Sequence, residues 1–129
     1  MSRLISVAFT EQAVRDRIKT VTRRLGWWED RNGRRLIKPG DHLTPCRKIM
    51  GRKPGEPLVR ICDVEVVAVS RERLDGITPD EVAREGFPGM PPREFVQRFF
   101  CDAQGVNGAT VVTRIEWRYL PDTDTTEDR

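Results

Sequence analysis

The chain has 129 residues, of which 37% are hydrophobic and 33% charged, and this length favours a single domain with its own core. No apolar run reaches the roughly 20 residues of a membrane span and no signal-peptide core is present, so we expect a cytoplasmic protein. The single histidine and the three cysteines outside any CxxC spacing argue against a metal site, and we expect no cofactor. The net charge of +3 conceals a basic half, because residues 1–60 hold 15 Lys and Arg against 6 Asp and Glu, and we therefore expect a polyanionic partner.

The first predicted elements are a strand over Leu4–Phe9 and a short helix that begins after Thr10. Thr10 is a suitable N-cap, and an apolar stripe of about two turns runs from Ala13 to Ile18. This helix should lead the chain directly into residues 19–24, where an amine, two hydroxyls and two guanidinium groups follow one another.

Residues 19–24 form a polar, basic cluster. In an extended segment Lys19 faces one side while Thr22 and Arg24 face the other, but a bend at either end lets Lys19 and Thr22 converge. The convergent arrangement can hold a phosphate, a base edge or a carbonyl. The alternative is a basic strand that is simply solvated, and these six residues alone do not separate the two.

The next stretch contains two adjacent tryptophans, Trp27 and Trp28, before an Asn32-Gly33 turn. The indoles either stack on an unpaired base or cap the core. A strand is predicted over residues 42–47. The basic, glycine- and proline-punctuated loop over residues 48–57 that follows is either a flap that contacts phosphate or a solvated loop.

The strongest strand signal runs from Leu58 to Val69, which is rich in β-branched residues. Both of its faces are apolar near the ends, a pattern that is typical of a small, coiled barrel. A turn is predicted over Ser70–Gly76.

A helix is predicted to begin after Thr78, with Pro79 at the first position and Glu81 completing a capping box. It should end at Glu85-Gly86, where glycine can adopt a left-handed conformation. A carboxylate at a helix C-terminus is disfavoured by the helix dipole unless another group recruits it. Glu85 is therefore conspicuous.

The last predicted elements are a helix over residues 92–102 and a strand over residues 111–119. The helix carries a stripe of phenylalanines that favours core packing over a ligand cage, and the strand alternates between a buried and a wet face. From Pro121 to Arg129 the chain should be a disordered tail.

The order of these landmarks resembles that of the ASCH family, a branch of the PUA-like β-barrel superfamily associated with RNA and modified-nucleoside recognition. The matching segments span about residues 4–120 and are Lys19–Arg23, Lys38–Asp41, Leu58–Val69, Glu85–Phe87, Phe95–Phe100 and Arg114–Trp117. The resemblance implies an α+β fold, a β-barrel with flanking short helices, in one domain over residues 1–120. The family's usual glycine two residues before the lysine is Arg17 here, which puts the tightness of that turn in question.

The resemblance implies binding of nucleic acid, RNA rather than DNA, or of a modified nucleoside, through a basic cleft around residues 19–24. No membrane partner is implied, and the oligomeric state does not follow from the sequence. The side chains that this interpretation assigns to binding are Arg17, Thr20, Arg23, Arg24, Trp27, Trp28, Lys38, Arg47, Lys48, Arg52 and Lys53.

Some small bacterial members of the family are amidohydrolases that deacetylate N(4)-acetylcytidine with a lysine, a threonine and a glutamate. By position these residues are Lys19, Thr22 and Glu85, and the resemblance thus offers an amidohydrolase as the alternative function. A lysine is a base at neutral pH only when it is desolvated or lies beside other cations. The competing interpretation is structural: Lys19 and Glu85 form an ion pair at the barrel mouth, and Thr22 satisfies a backbone group.

Overall fold

The computed structural model describes residues 3–121, so nearly all of the predicted tail lies outside the described residues. The strands are β1 (Arg3–Ser6), β2 (Val21–Arg24), β3 (His42–Cys46), β4 (Val64–Arg73) and β5 (Val111–Tyr119). The helices are α1 (Glu11–Arg15), α2 (Pro79–Arg84) and α3 (Pro92–Val96), with a 3-10 turn at Leu74–Gly76 and a π-helical segment at Gln97–Asp102. Within the described range no helix has the length and apolarity to cross a membrane.

The five strands form one mixed sheet in the order β1-β3-β4-β5-β2. Only the β1–β3 pair is parallel. No ladder joins the edge strands β1 and β2 among residues 3–121, so the α+β class is confirmed but the closed barrel is not. A side chain bridges the gap instead, because the Arg24 guanidinium donates to the Ser6 carbonyl at 2.7 Å.

The predicted strand over Leu58–Val69 is displaced along the chain. It begins at Val64 and continues to Arg73, and the segment before it supplies one isolated bridge, Arg60 to Cys46. The reason is the long antiparallel ladder with β5, which reaches from Val64 to Arg73 and extends the strand through residues predicted to turn. A bulge between Val66 and Ala68 turns Val67 outward, where it is 42% exposed.

Two clusters of buried side chains hold the fold together. One lies on the sheet and comprises Ile5, Ile37, Leu43, Val64, Val66, Ile115 and Trp117. The other joins the helices to the far end of the sheet and comprises Leu74, Ile77, Val82, Phe95, Val96, Phe100 and Val112. Val112, on the predicted wet face of the last strand, is buried because it belongs to this second cluster.

The capping box of α2 is confirmed, since the Thr78 hydroxyl accepts from the Glu81 N–H at 3.2 Å. Gly86 follows the helix with a φ of +112°, which glycine adopts without strain. At α1 the prediction is partly wrong: the Thr10 side chain makes no cap, and Ile18 is 49% exposed because the helix has already ended.

Arg17 takes the backbone conformation that favours glycine. Its φ is +59°, and the tight turn from α1 into β2 is therefore retained although no glycine is present. Its guanidinium lies over the Tyr119 ring, 5.3 Å from the centroid, and a cation–π contact of this kind offsets part of the strain.

Candidate functional site

A cavity of about 570 Å³ opens at the gap between β1 and β2. One wall is polar and is formed by Lys19, Thr22, Arg23, Arg24 and Glu85. The rest of the lining is largely aromatic and includes Phe9, Trp27, Phe87, Phe95, Phe99 and Phe100. Clefts of this size with a few polar groups at one end are typical of small-ligand sites.

The centre of the polar wall is a buried ion pair between Lys19 and Glu85. The Lys19 ammonium donates to Glu85 Oε1 at 3.1 Å and to the Glu85 main-chain carbonyl at 2.8 Å. Both side chains are less than 5% exposed. The amine therefore recruits the carboxylate at the end of α2, the position where the helix dipole alone disfavours it.

Arg23 holds the second oxygen of the same carboxylate. Its guanidinium donates to Glu85 Oε2 at 2.9 Å, to Glu81 at 2.6 Å and to Glu72 at 2.8 Å, and its side chain is fully buried. Burial alone would lower the pKa of Arg23, but Glu85 and its two other partners raise it above the usual value. Bonds from Arg114, supported by Arg23, lower the pKa of Glu81 to about 2. Glu72 and Glu81 thus stabilise the site without lining the cavity.

The Lys19 amine lies in an environment that disfavours its charge. Burial lowers its pKa below the usual lysine value; Glu85 opposes this effect, whereas the charges of Arg24 and Arg23 add to it. Its main-chain carbonyl accepts from the Trp117 indole N–H at 3.1 Å and from the Tyr119 hydroxyl. Two side chains of β5 thereby fix the backbone at the lysine.

Thr22 and Arg24 form the rest of the polar wall. Thr22 is 3% exposed, and its hydroxyl accepts from Arg24 Nε at 3.2 Å. Because Arg24 also binds the Ser6 carbonyl, its guanidinium is held by both edge strands. The threonine oxygen therefore faces a fixed positive charge, which favours partial negative charge on that atom.

The aromatic wall is centred on Phe99. Its ring stacks on Phe87 with centroids 4.7 Å apart and meets Phe95 and Phe9 at 5.5 and 5.8 Å. Phe99 belongs to the π-helical segment, and the Gln104 amide donates to its carbonyl at 2.9 Å. The predicted core role holds for Phe95 and Phe100, which are buried, while Phe99 is half-buried and faces the cavity.

Of the predicted binding residues, Arg23, Arg24 and Trp27 line the cavity with the triad Lys19, Thr22 and Glu85. The others do not line it, namely Arg17, Thr20, Trp28, Lys38, Arg47, Lys48, Arg52 and Lys53. Several of these pair elsewhere: Arg35 covers the Trp28 ring at 3.5 Å, and Arg47 binds Glu11 at 2.9 Å. Their role in binding stays a prediction. Among the described residues, no group of His, Cys, Asp and Glu is placed to hold a metal ion.

Sequence reasoning did not assign Glu72, Glu81 or the phenylalanines to the site. The capping box already explains a glutamate at position 81, so the sequence offers no reason to expect a distant partner for it. No sequence pattern indicates that Glu72 contacts the site. The phenylalanine spacing was visible, but spacing alone does not distinguish a core stripe from a cavity wall.

Several solved structures share this fold. The ASCH domain from Lactobacillus crispatus JV V101 is 15% identical with a TM-score of 0.59, over 91% of this chain and 79% of that one. Protein EF3133 from Enterococcus faecalis V583 is 12% identical with a TM-score of 0.66, over 93% and 80%. ASCH from Zymomonas mobilis is 14% identical with a TM-score of 0.53, over 89% and 65%. No family model and no curated protein matches the sequence.

Proposed function

The chain has an ASCH-type fold, and from this premise we propose that the cavity binds a single nucleobase, either of a modified nucleoside or of an RNA strand. The observation that carries the proposal is that aromatic and polar side chains line the same cavity. A planar base needs an aromatic surface for its face and polar groups for its edge, and the cavity offers Phe99 for the first and Lys19, Thr22 and Arg24 for the second.

Replacement of Phe99 by alanine tests the proposal. Base–aromatic stacking contributes about 1–3 kcal/mol per base, so we expect Phe99→Ala to weaken nucleoside binding by about tenfold or more. Isothermal titration with cytidine, N(4)-acetylcytidine and a short single-stranded RNA measures this effect. Val111→Ala is the control, because Val111 is 46% exposed and lies outside both the cavity and the 48–57 loop. If no nucleoside or RNA binds, or if Phe99→Ala binds like the control, the proposal fails.

The basic loop over residues 48–57 should matter only for a strand. We expect Arg52→Ala with Lys53→Ala to weaken RNA binding and to reduce its salt slope by up to about two, since each lost phosphate contact removes roughly one from the slope. Binding of the free nucleoside should not change, because neither side chain lines the cavity. Titrations at several salt concentrations check this expectation, and an equal effect on both ligands would contradict it.

Hydrolysis of an acylated nucleoside is the second candidate. It is favoured by the lowered pKa of Lys19 and by the presence of the Thr22 hydroxyl on the same wall. In this scheme the threonine oxygen attacks the acyl carbon while the neutral lysine amine takes the hydroxyl proton. The carbon–nitrogen bond then breaks, and the lysine returns that proton to the leaving nitrogen. Water hydrolyses the acyl-threonine ester, which releases the acid and restores the hydroxyl.

A further inference from the structure

The ion pairs beside the cavity form one connected network. Arg23 joins Glu72, Glu81 and Glu85, while Arg114 and Arg84 join Glu81 to Glu116 at 2.6–3.2 Å. Lys19 joins it through Glu85, and Arg24 lies beside it, bonded to neutral oxygens of Ser6 and Thr22. Within the described residues this set holds five cations, Lys19, Arg23, Arg24, Arg84 and Arg114, against four carboxylates, Glu72, Glu81, Glu85 and Glu116.

One excess positive charge is costly where the set is buried, as it is at Lys19 and Arg23, and a proton can leave from only one of the five cations. The guanidinium groups keep their protons in proteins. Protonation of a glutamate would increase the excess, and Glu81 stays ionised because Arg114 lowers its pKa to about 2. Lys19 is the remaining cation, and its side chain is 3% exposed.

We propose that Arg23 is a positioning residue that acts through Glu85 so that the Lys19 ammonium gives up its proton more readily. Two buried cations share one carboxylate, with Lys19 on Oε1 and Arg23 on Oε2, and a single negative charge neutralises only one of them. Arg23 retains its charge because Glu72 and Glu81 also hold it.

The groups that face Lys19 from each neighbouring element agree with this assignment. Glu85 approaches from the end of α2, and Arg23 and Arg24 come from β2 itself. From β5, Trp117 and Tyr119 contact the Lys19 carbonyl; burial raises the pKa of Tyr119 to about 12, so its hydroxyl stays neutral. Glu85 is thus the only one of these groups that carries negative charge.

This inference rests on the proposed nucleobase site and specifies what that site recognises. An ammonium ion can only donate hydrogen bonds, whereas a neutral amine carries a lone pair that accepts one. Once Lys19 has given up its proton, the site favours a base edge that presents an N–H group. Binding should strengthen as the pH rises through the pKa of Lys19.

The pKa of Lys19 can be measured directly, because the chain has only four lysines, Lys19, Lys38, Lys48 and Lys53. A pH titration of the lysine ¹³Cε resonances reports each amine, and loss of one resonance in Lys19→Met assigns the signal. We expect Lys19 to titrate well below the other three, which serve as internal controls. The titration needs no ligand, so its result is independent of whether any nucleoside binds.

Two variants should shift the pKa of Lys19 in opposite directions. Arg23→Gln removes a cation and should raise the pKa of Lys19 by about one pH unit or more, whereas Glu72→Gln removes an anion and should lower it. Arg23→Lys keeps the charge and should return the pKa toward the wild-type value. If Arg23→Gln does not fold, Arg114→Gln removes a cation at the edge of the network instead. Shifts of the same sign in the cation and anion variants, or titration of Lys19 together with the other lysines, would overturn the proposal.

Discussion

Glu85→Ala is expected to lower the free energy of unfolding by about 3–5 kcal/mol, the usual cost of removing one partner from a buried ion pair. The carboxylate accepts from both Lys19 and Arg23, and both cations are almost fully buried. Arg23 keeps two other glutamates, so most of the loss falls on Lys19. Urea unfolding of the wild type and of Glu85→Ala at neutral pH, analysed with a shared m value, measures the change in the free energy of unfolding.

Glu94→Ala is the matched control. Glu94 lies in the first turn of α3 and pairs with Arg98 at 3.6 Å, but both side chains are at least half exposed. An exposed i,i+4 pair contributes only about 0.3–0.5 kcal/mol. If Glu85→Ala costs no more than Glu94→Ala, the buried pair does not stabilise the fold.

The pH dependence of Glu85→Ala separates charge from packing. Without its acid, the Lys19 ammonium is a buried charge that can be relieved by losing its proton. The folded variant then binds fewer protons than the unfolded chain, whose lysine has a pKa of about 10.4, so its stability should rise with pH up to that value. A loss caused by packing alone would not vary with pH over this range.

Glu85 was the feature of the site that the sequence marked most clearly. The capping box marks the start of α2, and Gly86 marks its end. Together they place the Glu85 carboxylate at the C-terminus of the helix, where the helix dipole disfavours negative charge. Local sequence rules thus identified Glu85 as unusual, but the contacts that stabilise its carboxylate are long-range. Its partners are 62 and 66 residues away along the chain, and no local rule identifies them.

The burial of Arg23 could not be predicted from the sequence. In the sequence it is one of two adjacent arginines, and a solvated, phosphate-binding side chain is the natural expectation for either. The structure buries it completely because Glu72 and Glu81 converge on it from β4 and α2. That convergence depends on the register of β4, which the sequence placed several residues too early. The open edge between β1 and β2 is likewise a property of the assembled sheet, which local propensities do not determine.

Arg17 illustrates the opposite case, in which a residue other than glycine adopts the positive φ of a tight turn. The turn keeps a positive φ, and β5 holds the Lys19 carbonyl from the other side. The position of the amine is therefore set by tertiary contacts more than by the residue type at the turn.

Lys19→Met is the variant for which the two candidate functions predict different results. Glu85 keeps Arg23 as a partner, so the loss of stability should be limited to the two hydrogen bonds of the Lys19 amine, roughly 1–3 kcal/mol, and the cavity should persist. If the protein deacylates N(4)-acetylcytidine, removal of its general base should slow cytidine release by about 10²–10⁴-fold while nucleoside binding changes far less. If the protein only binds, the wild type releases no cytidine and the variant differs in affinity alone.

Chromatography of the reaction mixture and calorimetry of the same preparations give both quantities. Lys48→Met is the control, because Lys48 lies in the exposed loop outside the cavity and pairs with Glu56 at 3.4 Å. Turnover that survives Lys19→Met would remove the lysine from the chemistry. The threonine would then need another base. On the cavity wall the remaining proton acceptor is the Glu85 carboxylate. Lys19 and Arg23 both donate to this carboxylate in the wild type, whereas Arg23 alone would donate to it in the variant.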